Sequence, residues 1–207
     1  MVNILKNENI LNSEFVDVML DLESMGVGNN PALIQIAAVA FNSETGEEIS
    51  KFDEKIDLKS SMDAGLTVTA GTIKFWMTHE SVNQEARNIV MSETGDHGKD
   101  GQHINVVLLQ FSEWYKSLVE THNLTLGGVW GNGSASDNVW LRSAYSATQL
   151  PTPFIFRDDM CLRTLRTIAK RKGYKTSFEF DGNQHDGLDD CRFQIKDLIE
   201  IKKFLDI

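Results

Sequence analysis

The 207 residues are 41% hydrophobic with a mean hydropathy of -0.26, enough apolar material for one sizeable core and for one domain, at most two. No run of about 18 apolar residues occurs, which excludes a transmembrane helix. The formal net charge of -10 argues against a long basic groove tracking a duplex, but not against a protein that grips a strand end. Acids in such a site are neutralised by divalent cations, which then attract phosphate.

The start, MVNILKNENILNSEF, lacks the basic segment, apolar run and cleavage site of a secretory signal. Cys161 and Cys191 stand singly and form no metal-type pair. A cytoplasmic setting with free thiols is expected. Residues 1–14 are expected to form an arm, and 15–207 a single domain.

In chain order, Phe15 to Leu20 reads as a strand, Ala32 to Phe41 as a second ended by the turn at 42–46, and Ile49 to Ile56 as a third. Short turns between them predict an antiparallel meander. Thr72 to His79 and Val82 to Val90 read as short helices, followed by the polar loop Gly95 to Gly101. Ile104, Val107, Leu108, Phe111, Tyr115 and Leu118 fall at helical spacing, which predicts an amphipathic helix over 102–120. A strand at Leu126 to Gly131, a helix from Asp137 to Thr148 and a short strand at Phe154 to Phe156 come next. Helices over Cys161 to Lys172 and Leu188 to Leu205 complete the chain. Strands first, then alternating helix and strand, indicate an α/β domain with a mixed sheet flanked by helices.

Three segments carry the chemistry. Asp21 and Glu23 follow an apolar strand at i and i+2, so both carboxylates project from one face and can share one hard cation such as magnesium or manganese. By itself such a pair reads as a solvated strand end. Asp137 follows a strand and the glycine-broken loop Gly131-Asn132-Gly133, at the carboxyl edge where α/β sheets usually hold ligands. Helix capping is the plainer account of Asp137 taken alone. His185-Asp186-Gly187-Leu188-Asp189-Asp190 opens the last helix, with Asp186 as its cap and His185 on a flexible approach that can swing over the ion site lined by Asp190. His97 and His103, with Asp96 and Asp100, read as a solvated loop rather than a second metal site. Trp76 is either core or a stacking face for a terminal base. No phosphate loop, nucleophile elbow or zinc helix is present.

Together the segments resemble the DEDDh 3′–5′ exonucleases of the ribonuclease H-like superfamily, whose pattern is D-x-E, a mid-chain Asp and H-x-x-x-x-D. The strings DLESMGVGNNPALIQIAAVAF, GTIKFW, VWGNGSASDNVWLRSAY and HDGLDDCRFQ are similar to bacteriophage exonucleases of the DexA type, prophage exonuclease VIII and mycobacterial exoribonuclease-like proteins. The resemblance implies two Mg or Mn ions bridged by Asp21, with Glu23 and Asp190 on the first and Asp137 serving the second, and His185 as general base. It implies substrate contacts at Ser24, Met25, Trp76 and Arg163. Gly133 and Ser136 depart from the family's Asn and aromatic, and Asn132 is expected to take over that contact. The expected partner is a 3′ end, single-stranded DNA first and RNA as the alternative, with no membrane and a homodimer left open. An inactive nucleic-acid-binding protein on the same fold is the rival of another class. An aspartyl phosphatase built on Asp21 would need an Asp where Glu23 stands.

Overall fold

The computed structural model describes residues 15–92, 101–122 and 125–207. The expected arm, and Asp96, His97 and Asp100 of the polar loop, lie outside these residues. Strands β1 (Phe15–Ser24), β2 (Leu33–Asn42) and β3 (Glu48–Ile56) form the expected antiparallel meander. The β2–β3 turn closes on Asn42, whose Oδ1 accepts from the Glu44 and Thr45 N–H groups. Gly46 stands in that turn at φ +78° with Ile199 against it, a position that suits no side chain. β5 (Thr125–Gly131) runs parallel to β1, and the whole sheet has the order β4-β3-β2-β1-β5-β6, where β4 is Gly101–Gln102 and β6 is Asp159–Cys161.

β2 is buried on both faces because a helical layer covers each. Ile34, Ile36, Ala38 and Ala40 enter one core while Ala37, Val39 and Phe41 enter the other. β1 alternates likewise, with Val16, Val18, Leu20 and Leu22 in the first core and Met19 in the second. Asp21 and Glu23 therefore share the face of the second core. The acidic pair lies within β1 itself, which runs to Ser24, four residues beyond the end expected at Leu20. Asp17, on the same face, is satisfied separately: its oxygens accept from the Gly128 N–H at 2.6 Å and the Trp130 indole at 3.0 Å.

On the first face lie α2 (Ala70–Thr78), α3 (Gln84–Val90), α4 (Ile104–His122) and α5 (Asp137–Ala147). The predicted apolar stripe of α4 is buried from Ile104 to Leu118. On the second face lie α6 (Leu162–Arg171) and α7 (Gly187–Leu205). A six-residue helix, α1 (Leu58–Asp63), and the two-residue β4 carry too little periodicity to read in advance.

The strand expected at Phe154 to Phe156 is a correction. Phe156–Asp158 is a 3-10 turn in which the Asp158 carboxylate accepts the Ile155 N–H, and the edge strand Asp159–Cys161 follows it directly, five residues beyond the expected one. What pins that strand is Asp159, which takes both guanidinium nitrogens of Arg142 at 2.6 Å and the amide of Asn138 at 3.0 Å. His103, exposed, accepts the Asn105 N–H at the start of α4, a helix-end role rather than a metal ligand's. Among the described residues no helix is long and apolar enough to cross a membrane.

Candidate active site

Parallel pairing sets Leu20 beside Gly131, so Asp21 lies just beyond the end of β5. A Cβ on Gly131 would stand 2.6 Å from Asn138 Oδ1 and 3.0 Å from Asp137 Oδ2, so only glycine lets α5 begin so close to the strand. Helix capping does not explain Asp137. It is the first residue of α5 rather than its cap, and Oδ2 turns back toward the Gly133 N–H at 3.4 Å. Burial pushes its carboxyl up to about 6 against the backbone N–H groups of Gly133, Asp137 itself and Leu22, which favour the anion. The contact with Leu22 places this carboxylate between Asp21 and Glu23 along β1.

α7 supplies the third segment. Asp186 caps it as expected, accepting from the Leu188 and Asp189 N–H groups at 3.2 Å. Gly187 rests on Ala37, the cross-strand partner of Asp21, and a Cβ there would lie 2.6 Å from the Ala37 Cβ. Two minimal side chains thus bring the start of α7 down over Asp21. One turn on, Asp190 Oδ2 accepts the His185 N–H at 3.0 Å. Burial lifts Asp190 to about 6, with Asp186 and Asp189 adding to the rise.

Asp21 and Glu23 are raised well above the ordinary carboxylate range, first by burial and then by nearby charge: Asp137 and Asp190 act on Asp21, and Asp21, Asp190 and Asp137 act on Glu23. Four carboxylates therefore sit within mutual electrostatic reach. Among the described residues no lysine or arginine pairs with any of them within 4.0 Å. Glu23, His185 and Asp190 each offer a ligand atom within 4.8 Å of the others. Asp21 Oδ1 instead accepts from the amide of Gln194 at 2.7 Å. Gln194 is buried, its own Oε1 unpartnered. Sequence reading missed it, although its place four residues after Asp190 puts both on one side of α7.

His185 adopts φ +65°, a left-handed conformation uncommon outside glycine. Its Nδ1 lies 3.9 Å from Glu23 Oε1 and its Nε2 2.9 Å from Ser81 Oγ, with the edges of Phe75 and Trp76 against the ring. Burial, and then the charge of His79, hold its pKa below the ordinary histidine value. Nothing in the sequence around Ser81 signalled this contact.

The residues expected to touch substrate fare differently. Trp76 is buried, and its indole N–H donates to the Ser24 carbonyl at 3.0 Å, so it is first a core residue. Its ring still borders a cleft of about 460 Å³ with Ser24, Val27, Phe75 and Trp140, and Glu23 lies at the same cleft. The Ser24 hydroxyl is turned to the Gly26 carbonyl at 2.7 Å, and the Met25 side chain belongs to the first core. A second cleft of about 260 Å³ meets the acids at His185 and Asp190 and is bordered by Asn132. Asn132 Oδ1 accepts from Arg166, itself clamped to buried Asp197 at 2.6 Å. The Arg163 guanidinium lies over Gly133, close enough to favour ionised Asp137.

No curated protein matches this sequence. Among solved structures, cell-death related nuclease 4 (CRN-4) superposes with a TM-score of 0.62 at 17% identity, over 92% of this chain and 66% of that one. The nuclease domain of 3′hExo, described as a DEDDh family member bound to rAMP, gives 0.57 at 14% identity over 94% of each chain. The zinc-bound E. coli ExoI–ssDNA complex gives 0.56 at 14% identity, over 93% of this chain and 42% of that one. This chain thus spans just under two thirds of the first and less than half of the last. At such identities the likeness shows the fold, a ribonuclease H-like mixed sheet. Residues 16–201 match the family described as the 3′-5′ exoribonuclease Rv2179c-like domain, and the chain belongs to that family, within the DEDDh 3′–5′ exonucleases.

Proposed function

We propose that the chain hydrolyses the terminal phosphodiester at the 3′ end of a nucleic-acid strand, releasing nucleoside 5′-monophosphates. Asp21, Glu23, Asp137 and Asp190 act as cation ligands and His185 as general base. The observation that carries this reading is the convergence of four carboxylates beside an imidazole, Asp137 buried and Asp21 and Asp190 partly so, with no lysine or arginine among the described residues paired to them. Such a cluster costs folding energy unless a cation neutralises it, and its all-oxygen donors suit magnesium or manganese. Two such ions, when bound, lower the pKa of an attacking water and offset charge on the phosphate oxygens.

The chain's own residues supply the rest. Gln194 holds one oxygen of Asp21 and leaves the other for a ligand. The lowered pKa of His185 keeps its imidazole neutral near pH 7, able to accept the proton of the attacking water. The cleft beside Glu23, rimmed by Val27, Phe75 and Trp140, offers apolar and ring surface that does not read base identity. DNA is the first reading, on the phage-type strings of the sequence. RNA is the second, favoured by the description of the matching family. One hydrogen bond to a 2′-hydroxyl suffices to separate them.

The test is a 5′-labelled single strand of DNA and of RNA, equal in sequence, incubated with magnesium or manganese. Ladders shortening from the 3′ end, abolished by EDTA, are expected, and their relative rates assign the sugar. Full activity in excess EDTA, or early release of the label as a mononucleotide, overturns the proposal.

A further inference from the structure

The turn between α2 and α3 lies about a hundred residues before His185, yet it is fastened to the His185 loop at three points. Ser81 Oγ lies 2.9 Å from His185 Nε2, Asn83 donates to the side chain of Asn183 at 3.3 Å, and Asn183 donates to Glu85 at 2.7 Å. The turn has its own contacts: the Val82 N–H donates to the His79 carbonyl at 3.1 Å, and the His79 ring packs on Phe75 at 4.8 Å.

Hydrogen positions along this chain are fixed by elimination. The Ser81 backbone N–H can only donate, and it lies 3.2 Å from His79 Nδ1, which is therefore an acceptor. Ser81 Oγ also lies 2.7 Å from that Nδ1. Two lone pairs would repel at this distance, so the Ser81 hydroxyl donates to His79. Its oxygen then faces His185 as an acceptor, and His185 Nε2 must carry hydrogen. The neutral imidazole has one hydrogen, which leaves Nδ1 bare on the side of Glu23.

We propose that Ser81, backed by His79, is a positioning residue for the hydrolytic reaction: it holds His185 as the Nε2–H tautomer and aims the unprotonated Nδ1 at the acidic cluster. This rests on the reading of His185 as general base. In that reading Nδ1 takes the proton of the attacking water, while Ser81 and His79 keep the ring from rotating or presenting a hydrogen to it. The contact spans two helices and the far end of the chain, so the base is assembled only when the α2–α3 turn docks on the loop before α7.

The test is two-sided. Nitrogen-15 NMR of the metal-free protein, at a pH where the ring is neutral, reports which His185 nitrogen bears hydrogen. The wild type should show Nε2–H, Ser81→Thr should keep it, and Ser81→Ala should shift toward the Nδ1–H form or a mixture. In parallel, Ser81→Ala should lower kcat by roughly 10–100-fold, the usual worth of a residue that orients a site group, with KM within about twofold. Ser81→Thr should recover most of that loss. Hydrogen on Nδ1 in the wild type overturns the proposal without any variant, as does Ser81→Ala with wild-type kcat. Failure of the general-base reading would show separately, as turnover that survives His185→Ala, because the tautomer is read without substrate.

Discussion

Asp21 and His185 answer to different physics, and their variants should separate. Asp21 is partly buried, repelled by Asp137 and Asp190, and held by Gln194. Removing its carboxylate takes away the centre of the proposed ligand set. His185 stands at the rim with Nδ1 toward Glu23. His185→Ala should therefore leave divalent-cation binding nearly unchanged while turnover falls by roughly 10²–10⁴-fold, the range for a positioned general base. Asp21→Ala should lose both binding and turnover. Calorimetric metal titration beside single-turnover rates checks the pair, and wild-type turnover in His185→Ala would leave the histidine a helix-end residue only. At this scale the five candidate residues, which the structure brings together, could be singled out in the sequence, since their types and order are local facts. The surroundings of Asn132 and Met25 were not readable, because amide partners and core membership depend on neighbours far along the chain.

Among the elements, α7 decides whether the acids meet. Its first turn is drawn onto β2 by Gly187 on Ala37. Alanine at 187 would improve helix propensity by up to about 1 kcal/mol, but its Cβ would stand 2.6 Å from another Cβ, and neither atom can rotate away. Overpacking of this kind costs roughly 1–3 kcal/mol, so the clash should win. Gly187→Ala is expected to lower Tm by several degrees and to weaken cation binding, because lifting α7 draws Asp190 away from Asp21. Thermal melts and calorimetry on the same samples check this, and a variant with wild-type values would show that α7 tolerates the added methyl without moving. The long periodic helices α4 and α7 were readable within a residue or two. The strand expected at Phe154 was displaced because Asp158 bonds its own turn and Asp159 anchors the edge through Arg142.

For the molecule as a whole, the acidic cluster makes metal-free stability depend on pH. Asp190 has a folded pKa of about 6, above the ordinary unfolded value of about 4. The folded state therefore holds its proton longer than the unfolded state does. Stability is lost as pH rises between those values, and the full penalty persists above about 6. Asp190→Asn, which keeps an oxygen for the His185 N–H, removes that penalty. It should raise the metal-free Tm at pH 7.5 by roughly 3–6 °C, for a penalty of about 1–2 kcal/mol after solvent screening. The gain should vanish near pH 4. Differential scanning calorimetry in EDTA at both pH values checks this, and an equal gain at both would assign it to packing instead of charge.

What the sequence by itself determined is what lies within a few residues of chain. The period-two alternation of β1 and β2 chose the face on which Asp21 and Glu23 project, the 3.6-residue stripe of α4 chose its buried side, and the order of acids singled out the candidate site. Only the tertiary structure decided that Gln194 grips Asp21 from a position 173 residues away, and that Ser81 reaches His185 across 104. Alternation and helical stripes follow from backbone geometry, which each short segment carries with it. A hydrogen bond between a turn and a distant helix end exists only after two layers have closed on the sheet, and no local pattern encodes which hydroxyl or amide will be there.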